Sequence, residues 1–240
     1  MSRLRLNRFL ALAGVASRRR CDEIIQAGRV EVDGVRVSEP GIKVDGRHQS
    51  VLLDGKPIAV VVSRTYLLNK PRGVLSAAKD ARGGRTVLDV AREAGIEERL
   101  FPVGRLDKDS YGLILLSNDG DLSYRLTHPR YGVGKRYQVR INLPITKTQM
   151  SHFAAGIELS DGKTRPSRIK PLRRRASYEV ILHEGRKRQI RRMFESLNRR
   201  VIELRRVGMG SLSLGGLAEG EIRPLTKQEL SRLKSDVGLR

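Results

Sequence analysis

The chain has 240 residues and carries 48 Lys and Arg against 26 Asp and Glu, a net charge of +22. Such an excess selects for a polyanionic partner, most often nucleic acid. One cysteine, Cys21, excludes an intramolecular disulfide and a cysteine-based zinc site, and the four histidines, His48, His128, His152 and His183, lack metal-ligand spacing.

The N-terminal apolar run is short and broken by Arg8, unlike a signal peptide, and no stretch approaches the roughly 18 apolar residues of a membrane span. Leu6, Phe9, Leu10 and Ala13 recur at i, i+3, i+4 and i+7, which is one helical face, and Gly14 is its stop. Ser17 stands as N-cap of a second helix, with Cys21, Ile24 and Ile25 inward. Arg18, Arg19 and Arg20 occupy its first turn, where cations oppose the helix dipole. That placement points to phosphate contacts, with a solvated charged face as the alternative. Val30-x-Val32, Asp33-Gly34 and Val35-x-Val37 read as a β-hairpin. Val51–Leu53, Asp54-Gly55 and Ile58–Val62 read as another.

From Tyr66 the pattern changes. YLLNKPRGVLS reads as a strand into a turn, and GLILL as a short buried strand. Asn118-Asp119-Gly120-Asp121 precedes a helix over Leu122–Leu126, with Asp121 as candidate N-cap. Tyr137, Val139, Ile141 and Leu143 alternate as a half-buried strand. Residues 149–159 are expected to be helical and YEVILHEG a strand. RKRQIRRMFESLN is an amphipathic helix with Ile190, Met193, Phe194 and Leu197 inward. RVIEL is again a strand. Many strands with a few helices, not strictly alternating, predict an α+β fold with a mixed or antiparallel sheet.

Four aspartates crowd the segment from Val103 to Asp121. Asp119 and Asp121 read as turn and cap residues, and Asp109 as a loop cap or a solvent-facing group. Asp107 remains, next to Leu106 and Arg105, with Ser110 at i+3 placed to orient it. A carboxylate among arginines is a poor general acid and stands as a charged nucleophile. Arg191 lies at the edge of the apolar stripe of its helix, where a cation needs an acid partner or must reach water. Arg188 and Arg192 point away from that stripe, toward solvent or phosphate.

Two resemblances sharpen this reading. RLNRFLALAGVASRRRCDEIIQAGRVEVDGVRV resembles the S4 RNA-binding domain, a small αβ module. GRLDKDSYGLILLSNDG, with LLNKPRGV, KRYQV and EGRKRQIRRM, is similar to the RsuA/RluB family of ribosomal RNA pseudouridine synthases. The resemblance implies an S4-like domain over residues 1–60 and, over 64–240, a catalytic domain with a mixed, mainly antiparallel sheet and flanking helices. It implies Asp107 as catalytic aspartate, Tyr137 as the ring against the target base, Arg191 as the partner of Asp107, and Leu204 as packing on the base. On its own alternation Tyr137 would read as a core residue. Lys70 and Pro71 belong to a motif whose implied role is structural, and Arg105 and Ser110 would support the catalytic loop. Arg5, Arg8, Arg18, Arg19, Arg20, Arg186, Lys187, Arg188 and Arg192 are the implied RNA contacts. Ser110 and Tyr111 depart from the family's Thr and small residue.

The implied reaction turns uridine into pseudouridine in ribosomal RNA, the large-subunit RNA before the small, without cofactor or metal. A non-catalytic assembly factor on the same fold is the alternative. Ribosomal RNA or a pre-ribosomal particle is the expected partner, and a cytoplasmic monomer away from membranes is the expected state.

Overall fold

The computed structural model describes residues 3–46, 48–59 and 62–239. The chain divides between Ser63 and Arg64 into two compact units. Among the described residues no helix is long and apolar enough to cross a membrane.

In the first unit, β1 (Leu4–Arg5) leads into α1 (Leu6–Leu12) and then α2 (Arg18–Gln26). The Ser17 hydroxyl caps α2, accepting from Arg20 N at 3.2 Å. There follow β2 (Val30–Val32), β3 (Val35–Val37), β4 (Lys43–Val44), β5 (Val51–Leu53) and β6 (Lys56–Pro57). β3-β2-β5-β6 form an antiparallel sheet and β4 pairs with β1. Leu6, Phe9, Leu10, Cys21 and Ile25 share one core with Val30 and Val51. The hairpin turn is the expected one: Asp33 and Gly34 both have positive φ, +52° and +80°, as a two-residue turn of this hand needs. The strand expected over Ile58–Val62 is corrected. Asp54-Gly55 pairs Leu53 with Lys56 and Leu52 with Pro57, where β6 ends, and past it Ile58 N still donates to Val51 O at 2.9 Å. Val60 and Val61 lie outside the described residues.

The second unit opens with β7 (Thr65–Lys70), α3 (Val87–Glu93), β8 (Phe101–Val103) and β9 (Tyr111–Ser117). It continues through α4 (Gly120–Thr127), β10 (Lys135–Ile141), α5 (Lys147–Ala155), β11 (Arg168–Pro171) and β12 (Ser177–Leu182). α6 (Gln189–Glu195), β13 (Val201–Met209), β14 (Leu212–Ser213), β15 (Ile222–Pro224) and α7 (Lys227–Ser235) complete it. The sheet runs β11-β12-β10-β13-β9-β7-β15, with β14 on β13 and β8 on β9. β9 and β13 are parallel and the other strand pairs antiparallel, so the sheet is mixed and mainly antiparallel. One face carries Tyr137, Val139, Val180 and Leu204 and packs against α3, α5 and α6 through Val87, Phe153, Ile190 and Phe194. On the β7–β9 half the other face packs against α4 and α7 through Leu122, Leu126, Leu233 and Val237.

Local signals correct several expected boundaries. Asp119, not Asp121, caps α4: its Oδ1 accepts from Asp121 N at 3.1 Å and Leu122 N at 3.0 Å. Asp121 already lies in the first turn, where a carboxylate complements the helix dipole. α5 starts earlier than residue 149 because Thr146 and Gln149 form a capping box, and it stops at Gly156, whose φ is +101°. The alternation on β10 ends at Ile141, and Leu143 is exposed. α6 is shorter than its apolar stripe, because Arg188 before it and Asn198 after it both adopt positive φ.

Candidate active site

The segment from Gly104 to Ser110 joins β8 to β9 and is fixed from beneath. Ser110 N donates to Asp107 O at 3.0 Å, closing a tight turn. Ser76 Oγ donates to Leu106 O at 2.9 Å and accepts from Leu106 N at 3.0 Å. Lys70, fully buried at the end of β7, donates through Nζ to Ser110 O at 2.7 Å, Pro71 O at 2.9 Å and Lys108 O at 3.4 Å. Burial pushes this ammonium down to about 8, while Asp109 and Asp107 pull it back up. Three carbonyls therefore hold a lysine under the loop, and the lysine holds the loop's backbone. The strand's own alternation carries Lys70 to this place, since Leu68 two residues earlier faces the same core.

Gly112 permits the next step. Its φ is +103°, and a Cβ would stand 2.2 Å from Arg206 O on the neighbouring strand. The bare backbone lets β9 run directly beside β13. Arg206, 1% exposed, donates through Nε to Leu113 O at 2.6 Å. Tyr111, the bulky departure from the family pattern, does not crowd the loop. It lies on the opposite face of β9, with Arg72 4.4 Å and Arg205 5.9 Å from its ring centroid.

Asp107, Tyr137 and Leu204 line one cleft of roughly 630 Å³, with Ser110, Lys135 and Arg206 also in its wall. Tyr137 on β10 and Leu204 on β13 reach it from one sheet face, where Leu204 opposes Val139 in the ladder. Both are largely buried, at 9% and 5% exposure. Nothing among the described residues donates to the Asp107 carboxylate. The other acid in the wall, Glu184, is occupied by Gln189 Nε2 at 2.7 Å, Arg165 N at 3.1 Å and Arg186 Nε at 3.4 Å. Burial also lowers the Lys135 ammonium to about 8, with Arg206 pushing the same way and Glu184 opposing. A second cleft of roughly 700 Å³ adjoins the first and shares Asp107 with it, lined also by Arg72, Arg105, Arg188, Arg191 and Ile202.

The expected pairing of Arg191 with Asp107 is corrected. Arg191 is buried, and its Nη2 lies 3.0 Å from Asp109 Oδ2 and 3.4 Å from Ser110 Oγ, while Nη1 donates to Val201 O at 3.3 Å. The turn closed by Ser110 N carries Asp109 to the guanidinium and leaves Asp107 facing the cleft. Ser110 accordingly serves Arg191 through its hydroxyl and Asp107 only through its backbone. Arg105 is exposed and makes no side-chain hydrogen bond or ion pair among the described residues, so the loop's support comes from Lys70 and Ser76.

The expected RNA contacts separate into two kinds. Arg192 is committed to Asp161 through Nη1 at 2.9 Å and Nη2 at 3.0 Å. Arg186 is caged by the carbonyls of Gly162 and Lys163, both at 2.6 Å. Both side chains thus clamp α6 onto the segment before β11. Lys187 and Arg188 are exposed on the cleft rim, and Arg188 stands 3.7 Å from Asp109. In the first unit Arg5, Arg18, Arg19 and Arg20 are exposed and Arg8 is half-buried, and Arg20 pairs with Glu23.

With this geometry in place, the comparisons agree on a class. The RNA pseudouridylate synthase family model matches residues 64–196, and the S4 domain matches residues 4–50. Ribosomal large subunit pseudouridine synthase B of Bacillus subtilis (strain 168) is 40% identical over 236 residues, 96% of each chain. Ribosomal small subunit pseudouridine synthase A of Yersinia pestis is 37% identical over 235 residues, 95% of this chain and 97% of the other. A crystal structure of a pseudouridylate synthase superposes with a TM-score of 0.68 at 29% identity, covering 96% of this chain and 99% of that one. The chain belongs to the RNA pseudouridylate synthase family. Within it, the leading S4 domain and the near full-length matches place it with the RsuA/RluB enzymes.

Proposed function

We propose that this enzyme isomerises a specific uridine of ribosomal RNA, with Asp107 as the attacking carboxylate. The observation that carries the reading is the convergence of Asp107, Tyr137 and Leu204 on one cleft from a loop and two strands far apart in sequence. The N1–C1′ bond breaks, the uracil turns, and C5 joins C1′ while its proton is removed and N1 gains one. Nothing leaves, so atoms and charge balance without a further reactant. The detached uracil must be held, and the Tyr137 ring and the Leu204 side chain supply an apolar slot for a base flipped from its stack. Arg191 acts one step back, fixing the loop through Asp109 and Ser110.

Large-subunit RNA is the favoured substrate, supported by the 40% identity to the Bacillus enzyme named for that subunit, and small-subunit RNA is second. Mapping pseudouridine in both protein-free ribosomal RNAs, with wild-type and Asp107→Asn protein, tests the reading. It expects one modified large-subunit uridine, absent with the variant.

A further inference from the structure

Among the described residues, the second face of the half-sheet made by β11, β12, β10 and β13 bears none of the apolar residues that pack against helices, apart from Met209 at the end of β13. Ladder register places its side chains in rows. Lys170, Glu179, Gln138, Arg205 and Tyr111 form one row across five strands, a span of roughly 19 Å. Arg168, Ile181 and Arg136 form a second, and Arg140 opposite Glu203 belongs to a third. None of these residues belongs to the apolar clusters.

The charge on this face is unbalanced. Glu203 accepts from Arg140 at 2.9 Å and also faces Arg72 at 3.5 Å and Arg174 at 3.9 Å. These arginines, Arg140 first through its hydrogen bond, hold the carboxyl down to about 2. Glu179 is taken by Lys170 at 3.0 Å. Arg136, Arg168 and Arg205 have no carboxylate within ion-pair distance among the described residues. A structural ion-pair network would match its charges, whereas this one retains unpaired cations, Arg168 exposed and Arg136 and Arg205 half-buried.

Arg72 connects this face to the site. It lines the second cleft, which shares Asp107 with the first, and also stacks on Tyr111 at the edge of the exposed rows. Tyr111 is covered by Arg72 and Arg205, so the face offers guanidinium groups and almost no ring for a base to stack on. Such a surface suits the phosphate backbone of structured RNA.

We propose that this open sheet face is a second RNA-docking surface. It receives the backbone of a ribosomal RNA segment that continues past Arg72 from the nucleotide in the cleft. The inference rests on the reading that the enzyme acts on ribosomal RNA.

The test uses the full chain with Arg136→Gln, Arg168→Gln and Arg205→Gln combined, against the three corresponding Lys substitutions and against Arg168→Gln alone. The probe is protein-free full-length large-subunit ribosomal RNA, with small-subunit RNA in parallel. The Gln triple is expected to weaken binding about ten- to a hundredfold near 0.15 M salt and to reduce the log–log salt slope by up to about three. KM should rise with kcat at saturating RNA retained, the Lys triple should bind as wild type, and Arg168→Gln alone should lower the slope by about one. Unchanged affinity and slope in the Gln triple would overturn the proposal. If that triple unfolds, the exposed Arg168→Gln variant decides, and an unchanged slope there also overturns it. Failure of the underlying functional reading would look different, since wild-type protein would then form no pseudouridine on either RNA.

Discussion

Arg191 grips Asp109 at 3.0 Å and leaves Asp107, two residues earlier on the same loop, without a donor among the described residues. The buried cation fixes the loop through one carboxylate, so that the other can face the cleft.

This division predicts a coupling pattern. A double-mutant cycle between Asp109→Asn and Arg191→Lys, read by urea unfolding, should give an interaction of about 1 kcal/mol, because Asp109 is half-exposed. The cycle between Asp107→Asn and Arg191→Lys should give close to zero. A larger coupling to Asp107 than to Asp109 would refute the assignment.

Lys70 makes the loop pH-sensitive. Its ammonium has three donors for three carbonyls, and above about 8 the neutral amine has two. Turnover should therefore decline as pH rises through about 8, and Lys70→Met should be slower and lack that limb. Stability runs the other way. A lysine held below its usual value binds fewer protons folded than unfolded between about 8 and the ordinary lysine range near 10.4. The folded state should gain stability as pH rises through that window. Urea midpoints at pH 7.5 and pH 9.5 should differ less in Lys70→Met than in wild type.

The arginines separate by commitment. Arg18→Gln with Arg19→Gln should lower the salt slope of RNA binding by up to about two, since both side chains are exposed in the first turn of α2. Arg192→Gln should leave the slope unchanged and reduce stability by about 1 kcal/mol, because its charge already serves Asp161. A slope change in Arg192→Gln would return that residue to the RNA interface.

Gly112→Ala should be among the most damaging small substitutions. The new methyl would collide with the Arg206 carbonyl and force an L-residue into φ +103°. A loss of more than about 3 kcal/mol is expected by thermal unfolding. A stable, active Gly112→Ala protein would show that the parallel β9–β13 junction tolerates separation.

The sequence made some of this legible for local reasons. The Ser17 cap, the Asp33-Gly34 turn and the inward face of Ile190, Met193 and Phe194 are set by residues a few positions apart, and each is where its spacing puts it. The α+β class follows from such segments. The partners of Arg191 and Lys70 depend on how a loop of seven residues turns over a sheet, which no spacing encodes. Asp109 was therefore open, and Tyr111 could not be assigned to a sheet face until β9 was registered against β13. Arg192 and Arg186 read as free cations because Asp161 and its neighbouring carbonyls lie more than twenty residues away. Lys70 is legible in the sequence, since it continues the inward alternation of Tyr66 and Leu68.

The central claim is that Asp107 performs the chemistry, and its most direct test is pseudouridine formation on protein-free ribosomal RNA by Asp107→Asn protein. The account predicts a fall in single-turnover rate of at least about 10³-fold, with RNA affinity and the unfolding midpoint near wild type. Pseudouridine formed by Asp107→Asn at a rate close to wild type would contradict it.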